Sequence, residues 1–160
     1  MEDDYLRPSY NLRNKHFLGV GEKWIKDSYN VERFLNLTLS LIHPKLFETG
    51  LDILRKLREW DDTKAVAREW QLVYTGISVI NNWVTPSHRD SRGRAEWYDL
   101  LANYCDEDDT AVSIPHLLIR DLGLDLSYSS GTVVSLCGSV LEHEVGSWGL
   151  GDRVSQAHFM

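Results

Sequence analysis

His88 and Asp90 form a His-x-Asp pair in the segment TPSHRDSRGR. It follows LVYTGISVI at 72–80, whose β-branched and aromatic content predicts a strand. Residues i and i+2 of an extended segment point to one side, so this imidazole and carboxylate can converge on one metal ion. His143, 55 positions later and just after the predicted strand TVVSLCG at 132–138, offers a third ligand. Two histidines and one carboxylate on one face of an iron leave its other positions open for O2 and a co-substrate, as non-haem Fe(II) oxygenases require. Arg153 lies ten residues beyond His143 and opens the last predicted strand, RVSQAHFM. Its planar fork matches a carboxylate bidentately and suits the distal carboxylate of 2-oxoglutarate. Ser155, two positions on, faces the same way and could add a hydroxyl donor.

Spacing alone leaves a second reading open, in which these are surface histidines and a structural Arg–Asp pair. The chain has six histidines and is rich in aspartate, so a chance His-x-Asp pair is unsurprising. His16, His43, His116 and His158 have no partner at ligand spacing, and His43 sits beside Pro44 at the start of a helix. Arg89, Arg92 and Arg94 make a short basic run that could contact a nucleic-acid backbone or be a solvated loop.

These residues need a scaffold, and the order of elements predicts an α+β one. Val31, Phe34, Leu35, Thr38, Leu41 and Ile42 recur at helical spacing. Pro44 suits a first helical position, after which Leu46, Phe47, Gly50, Leu51, Leu54 and Leu57 form an apolar stripe with Arg55, Lys56, Arg58 and Glu59 turned outward. From about residue 70 the pattern becomes extended: besides the strands above, Leu122, Leu124, Leu126 and Tyr128 alternate with small or polar residues up to a turn at Ser129-Ser130-Gly131. AEWYDLLANYC at 95–105 fits helix or strand, and DEDD at 106–109 reads as an exposed loop. Helices followed by short, closely spaced strands predict a sandwich, barrel or jelly roll buttressed by helices. The expected organisation is one domain over 1–160, helical to about residue 70 and β from 71. The chain stops at Phe159-Met160 inside an apolar strand, as a fragment of a longer protein would.

Bulk properties narrow the classes. The 160 residues are 42% apolar, enough for a core, and the net charge of −7 argues against a surface that clings to nucleic acid all over. Cys105 and Cys137 are too few for a disulfide scaffold and belong to no zinc-type cluster, and the start MEDDYLRPSY is unlike a signal peptide, so an intracellular protein without a membrane partner is expected.

Three stretches, GISVINNWVTPSHRDSRGRAEWYDLL, DLGLDLSYSSGTVVSLCGSVLEHEVGSW and GDRVSQAHFM, together with LTLSLIHPKLFETGLDILRKL at 37–57, resemble the fungal branch of the TET/JBP family of 2-oxoglutarate/Fe(II)-dependent dioxygenases. The resemblance covers about residues 30–160. It implies that His88, Asp90 and His143 are the catalytic iron ligands, that Arg153 binds 2-oxoglutarate, and that Asn82 and Ser155 join it there. The implied fold is a double-stranded β-helix, a jelly-roll variant, with supporting helices in front. The implied reaction oxidises 2-oxoglutarate to succinate and CO2 while hydroxylating a methylated base, 5-methylcytosine or thymine, flipped out of DNA. A DNA partner would make the protein nuclear. The chain departs from the family pattern at Trp83, where many fungal relatives carry Arg, at Ser155, where Cys is more usual, and in ending where relatives continue. A non-catalytic β-helix of a mobile element and an oxygenase with a non-nucleic-acid substrate remain alternatives.

Overall fold

The structure is a computed structural model and describes residues 20–91, 93–105, 114–149 and 151–160. The chain divides at Thr75/Gly76 into a helical unit and a β unit.

Four helices are found among the described residues of the first unit: α1 (Val20–Asp27), α2 (Tyr29–Ile42), α3 (Pro44–Glu59) and α4 (Lys64–Glu69). On α2 the buried residues are Glu32, Leu35 and Leu39. The expected stripe is therefore rotated, with Phe34, Leu41 and Ile42 exposed. The helix is apolar over so much of its circumference that two stripes of 3.6-residue period fit it, and packing selects the one containing the carboxylate. On α3 the expected stripe is buried at Leu46, Gly50 and Leu54. His43 caps this helix, its Nδ1 accepting the Leu46 N–H at 3.3 Å. Arg58, expected to point outward, instead donates to the carbonyls of Ala67 and Trp70 at the end of α4.

The segment expected to begin a strand at residue 72 does not yet do so. Leu72, Val73 and Tyr74 are fully buried, and their backbone is held by the helices. Asn36 donates to Gln71 O and accepts from Val73 N, and Glu32 Oε2 accepts from Gln71 N. The other Glu32 oxygen is buried without a partner, and burial pushes the carboxyl up to about 7.

The β unit contains eight strands among the described residues: β1 (Gly76–Asn81), β2 (Thr85–His88), β3 (Asp99–Cys105), β4 (His116–Ile119), β5 (Leu124–Ser127), β6 (Val133–Leu136), β7 (His143–Val145) and β8 (Arg153–Phe159). They form two four-stranded antiparallel sheets, ordered β1-β8-β3-β6 and β2-β7-β4-β5. Leu117, Ile119 and Val145 from the second sheet pack with Leu136 from the first and with Tyr128, so the core lies between the sheets. The ambiguous stretch at 95–105 resolves as a turn followed by strand β3 from Asp99. The long strand expected over 122–128 is shorter, because Arg120–Leu122 form a single 3-10 turn closed by Gly123 in the left-handed region, φ 62°, before β5. Leu122 and Leu124 are consequently exposed, where alternation predicted burial. Residues 106–109, expected as an acidic loop, lie outside the described residues, as does His16.

Candidate metal centre

Two antiparallel strands bring His88 and His143 together. His88 ends β2, His143 opens β7, and the two are direct cross-strand partners with ring centroids 4.4 Å apart. Asp90 lies just beyond the end of β2. Its carboxylate is 3.6 Å from His88 Nε2 through one oxygen and 4.0 Å from His143 Nε2 through the other. The three residues form the group capable of holding a metal among the described residues, with one ligand atom from each lying within 4.8 Å of the others.

Local geometry prepares each ligand. His88 Nδ1 is 2.8 Å from Pro86 O and His143 Nδ1 is 3.0 Å from Leu141 O, so each Nδ1–H donates to a carbonyl two residues back. That bond selects the tautomer whose Nε2 carries a bare lone pair, and it orients the ring. Asp90 is held through its backbone, its N–H donating to Gly138 O at 2.9 Å. A Cβ at Gly138 would run into Asp90 Oδ2, so any larger residue there displaces the carboxylate. The carboxylate of Asp99 shares this spot and accepts from the Gly138 backbone; burial and the neighbouring Asp90 push Asp99 up to about 6 against that bond.

The same set passes a test of fit for a metal ion. Ligands about 2.1 Å from one ion and adjacent in its coordination shell stand about 3 Å apart, so the observed separations close with shifts of under about 1 Å.

Arg153 is the most deeply buried of the described arginines and lysines, 1% exposed. Its Nε donates to Asn103 Oδ1 at 2.8 Å and its Nη1 to Trp83 O at 3.2 Å, and the guanidinium lies over the rings of Tyr128 and Trp148. All of these are neutral partners. No ion pair joins it to a carboxylate among the described residues, and burial pulls its pKa down. Asn103, itself fully buried, cannot turn its amide around, since Nδ2 donates to Tyr128 O at 2.5 Å. Ser155 is buried two positions along β8, cross-strand from Asn103. A cavity of about 610 Å³ is lined by His88, Asp90 and His143 together with Arg153, Ser155 and Asp99.

No family model and no curated protein matches the chain. A solved structure that does match is NgTET1 in complex with 5mC DNA, with a TM-score of 0.63 and 13% identity, over 96% of this chain and 54% of that one. The chain has a TET-like fold. It spans about half the length of that neighbour.

The TET-like β unit distributes the other sequence candidates unevenly. Asn82, at φ 50°, is not among the cavity's lining residues. Its Oδ1 accepts from Arg153 N at 2.7 Å and its Nδ2 donates to Asp152 at 2.6 Å, so both ends of the amide hold the start of β8. Arg89 is tied down by Val140 O and by the carboxylates of Asp121 and Glu142. Arg94 lies over the Trp97 ring, 5.2 Å away, at the cavity wall, and Arg92 lies outside the described residues. Of the histidines set aside, His116 pairs with Asp125, while His158 is buried against Leu100 O. Sequence reasoning missed Asn103, Asp99 and Gly138. Asn103 is cross-strand from Ser155 and two positions out of register with Arg153, a relation visible only once strands are paired.

Proposed function

We propose that this chain is an Fe(II)- and 2-oxoglutarate-dependent dioxygenase of the TET/JBP type, built on a double-stranded β-helix and acting on a methylated base in DNA. One observation carries the reading: a buried guanidinium without a carboxylate partner among the described residues shares a cavity with two imidazoles and a carboxylate that converge at metal-ligand distances. The strand orders 1-8-3-6 and 2-7-4-5 support the jelly-roll form of the fold, since successive strands alternate between the two sheets except at the β4–β5 hairpin, whose strands share one sheet. The TET-like fold supports the oxygenase class, and the segments quoted above favour the fungal branch.

When bound, iron and 2-oxoglutarate supply the oxidation, in which O2 and the keto acid yield succinate, CO2 and a hydroxylated substrate. The chain's own groups bind and orient. His88, Asp90 and His143 would hold the ion, with both Nε2 lone pairs fixed by the Nδ1–H bonds to Pro86 and Leu141. Arg153 receives the distal carboxylate of the co-substrate, which supplies the counter-charge that no described residue provides there. Ser155 lines the cavity beside it and adds a hydroxyl. The Tyr128 and Trp148 rings lie against the guanidinium and help keep it from water.

The test is an anaerobic titration with Fe(II) and 2-oxoglutarate followed by charge-transfer absorbance, then succinate release in air with 5-methylcytosine DNA. Asp90→Ala should abolish both signals. Equal turnover in wild type and Asp90→Ala would sink the proposal.

A further inference from the structure

Asp99 is a cavity-lining carboxylate with no part in the metal set. It opens β3, and Leu101, two positions on, lines the same cavity, so the strand's alternation aims both side chains inward. Its position beside the metal centre is fixed by Gly138: a Cβ built there would lie 3.0 Å from Asp99 Oδ2 and 3.0 Å from Asp90 Cγ. No ion pair joins Asp99 to a cation among the described residues, and the Gly138 backbone occupies only part of an acceptor capacity of about four lone-pair sites. A carboxylate with spare acceptor sites, facing a cavity next to a metal centre, is suited to receive N–H groups of a substrate.

Resting on the function proposed above, we propose that Asp99 accepts the exocyclic amino group of cytosine and thereby selects 5-methylcytosine over thymine. The chemistry of the two bases makes this wall decisive. The methyl carbon and the group at ring position 4 are neighbours, so a base that offers its methyl to the metal centre places its position-4 group beside it, on the scale of about one hydrogen-bond length. In cytosine that group is an amino donor, and in thymine it is a carbonyl acceptor. A carboxylate attracts the first and repels the second. Trp97, with Arg94 over one face of its ring, lines the same cavity and adds an aromatic side chain to its wall.

The experiment uses the full chain with Fe(II), 2-oxoglutarate and matched oligonucleotides carrying 5-methylcytosine or thymine at one position, with product measured by mass spectrometry. Wild type should oxidise the 5-methylcytosine strand about tenfold to hundredfold faster, the discrimination expected of one specific base contact. Asp99→Asn, whose amide can present either a donor or an acceptor, should bring the ratio toward one while keeping the charge-transfer band. The wild-type ratio decides the matter alone should that variant not fold. A wild-type preference for thymine, equal rates on both strands, or a ratio unchanged in a folded Asp99→Asn would overturn the inference. A band without oxidation of either oligonucleotide overturns it while leaving the cofactor reading intact. Failure of wild type to form the band overturns both.

Discussion

Replacing Asn103 with aspartate should weaken 2-oxoglutarate binding about a hundredfold while leaving the protein folded. In the native site Asn103 Oδ1 accepts from Arg153 Nε at 2.8 Å and carries no charge, so the guanidinium keeps its full attraction for an incoming anion. Asn103→Asp places a carboxylate in that position. Two carboxylates on opposite sides of one guanidinium stand about 6 Å apart, and at an effective dielectric of about 20 their repulsion is about 3 kcal/mol, a factor of about 100 in Kd. Folding stability should change much less, because two effects oppose each other. The new ion pair with Arg153 stabilises, whereas the lost donor to Tyr128 O leaves two acceptors facing each other and costs about 1–3 kcal/mol. The assay is the anaerobic Fe(II) and 2-oxoglutarate titration, paired with a thermal melt. An Asn103→Asp protein that melts normally and binds 2-oxoglutarate with native affinity would refute the assignment of Arg153 to the co-substrate.

Other outcomes follow from the same geometry. Gly138→Ala should lower Fe(II) affinity by at least about tenfold, measured by competition with a chelator, because its Cβ displaces the Asp90 carboxylate; native affinity would contradict the ligand set. Glu32 has a folded-state pKa raised to about 7, so the stability it contributes is complete below about pH 4.5, is lost as pH rises toward 7 and is flat above, a difference of up to about 3 kcal/mol. Glu32→Gln should remove that slope in denaturant melts between pH 5 and 8, and an unchanged slope would place its source elsewhere. Arg94→Ala should weaken DNA binding and its salt dependence more than Arg89→Ala, since Asp121 and Glu142 already neutralise Arg89; the reverse order in a salt-titrated binding assay would count against that placement.

The legible and the hidden parts of this molecule divide along a physical line. His88, Asp90, His143 and Arg153 could be named as candidates because ligand chemistry restricts residue type and i, i+2 spacing in extended chain is local, but spacing left a structural reading open and the family resemblance is what singled them out. The α3 stripe could be read because cap, first-turn proline and apolar period agree at His43, Pro44 and Leu46–Leu54. The strands β2 and β7, of four and three residues, are too short to show alternation, and β2 contains Pro86. Leu72–Tyr74 look like strand because burial, not pairing, demands their apolar character. Asn103, Asp99 and Gly138 act through contacts between elements distant in sequence, and no local pattern encodes those.

The cross-strand pairing of His88 with His143 bears on how firmly the sheet holds together. Among the described residues β2 is the edge strand of its sheet, paired to β7 alone, with an irregular register between Thr85 and His88. An ion bound by both imidazoles would close a loop of 55 residues and so act as a fastener. Were that closure as tight as a covalent cross-link, it would be worth about 4 kcal/mol of chain entropy. Oxidation chemistry and sheet integrity would then share one bond set. Amide exchange in Thr85–Val145 should slow on metal loading and quicken on chelation, so that loss of iron exposes the edge as well as silencing the centre.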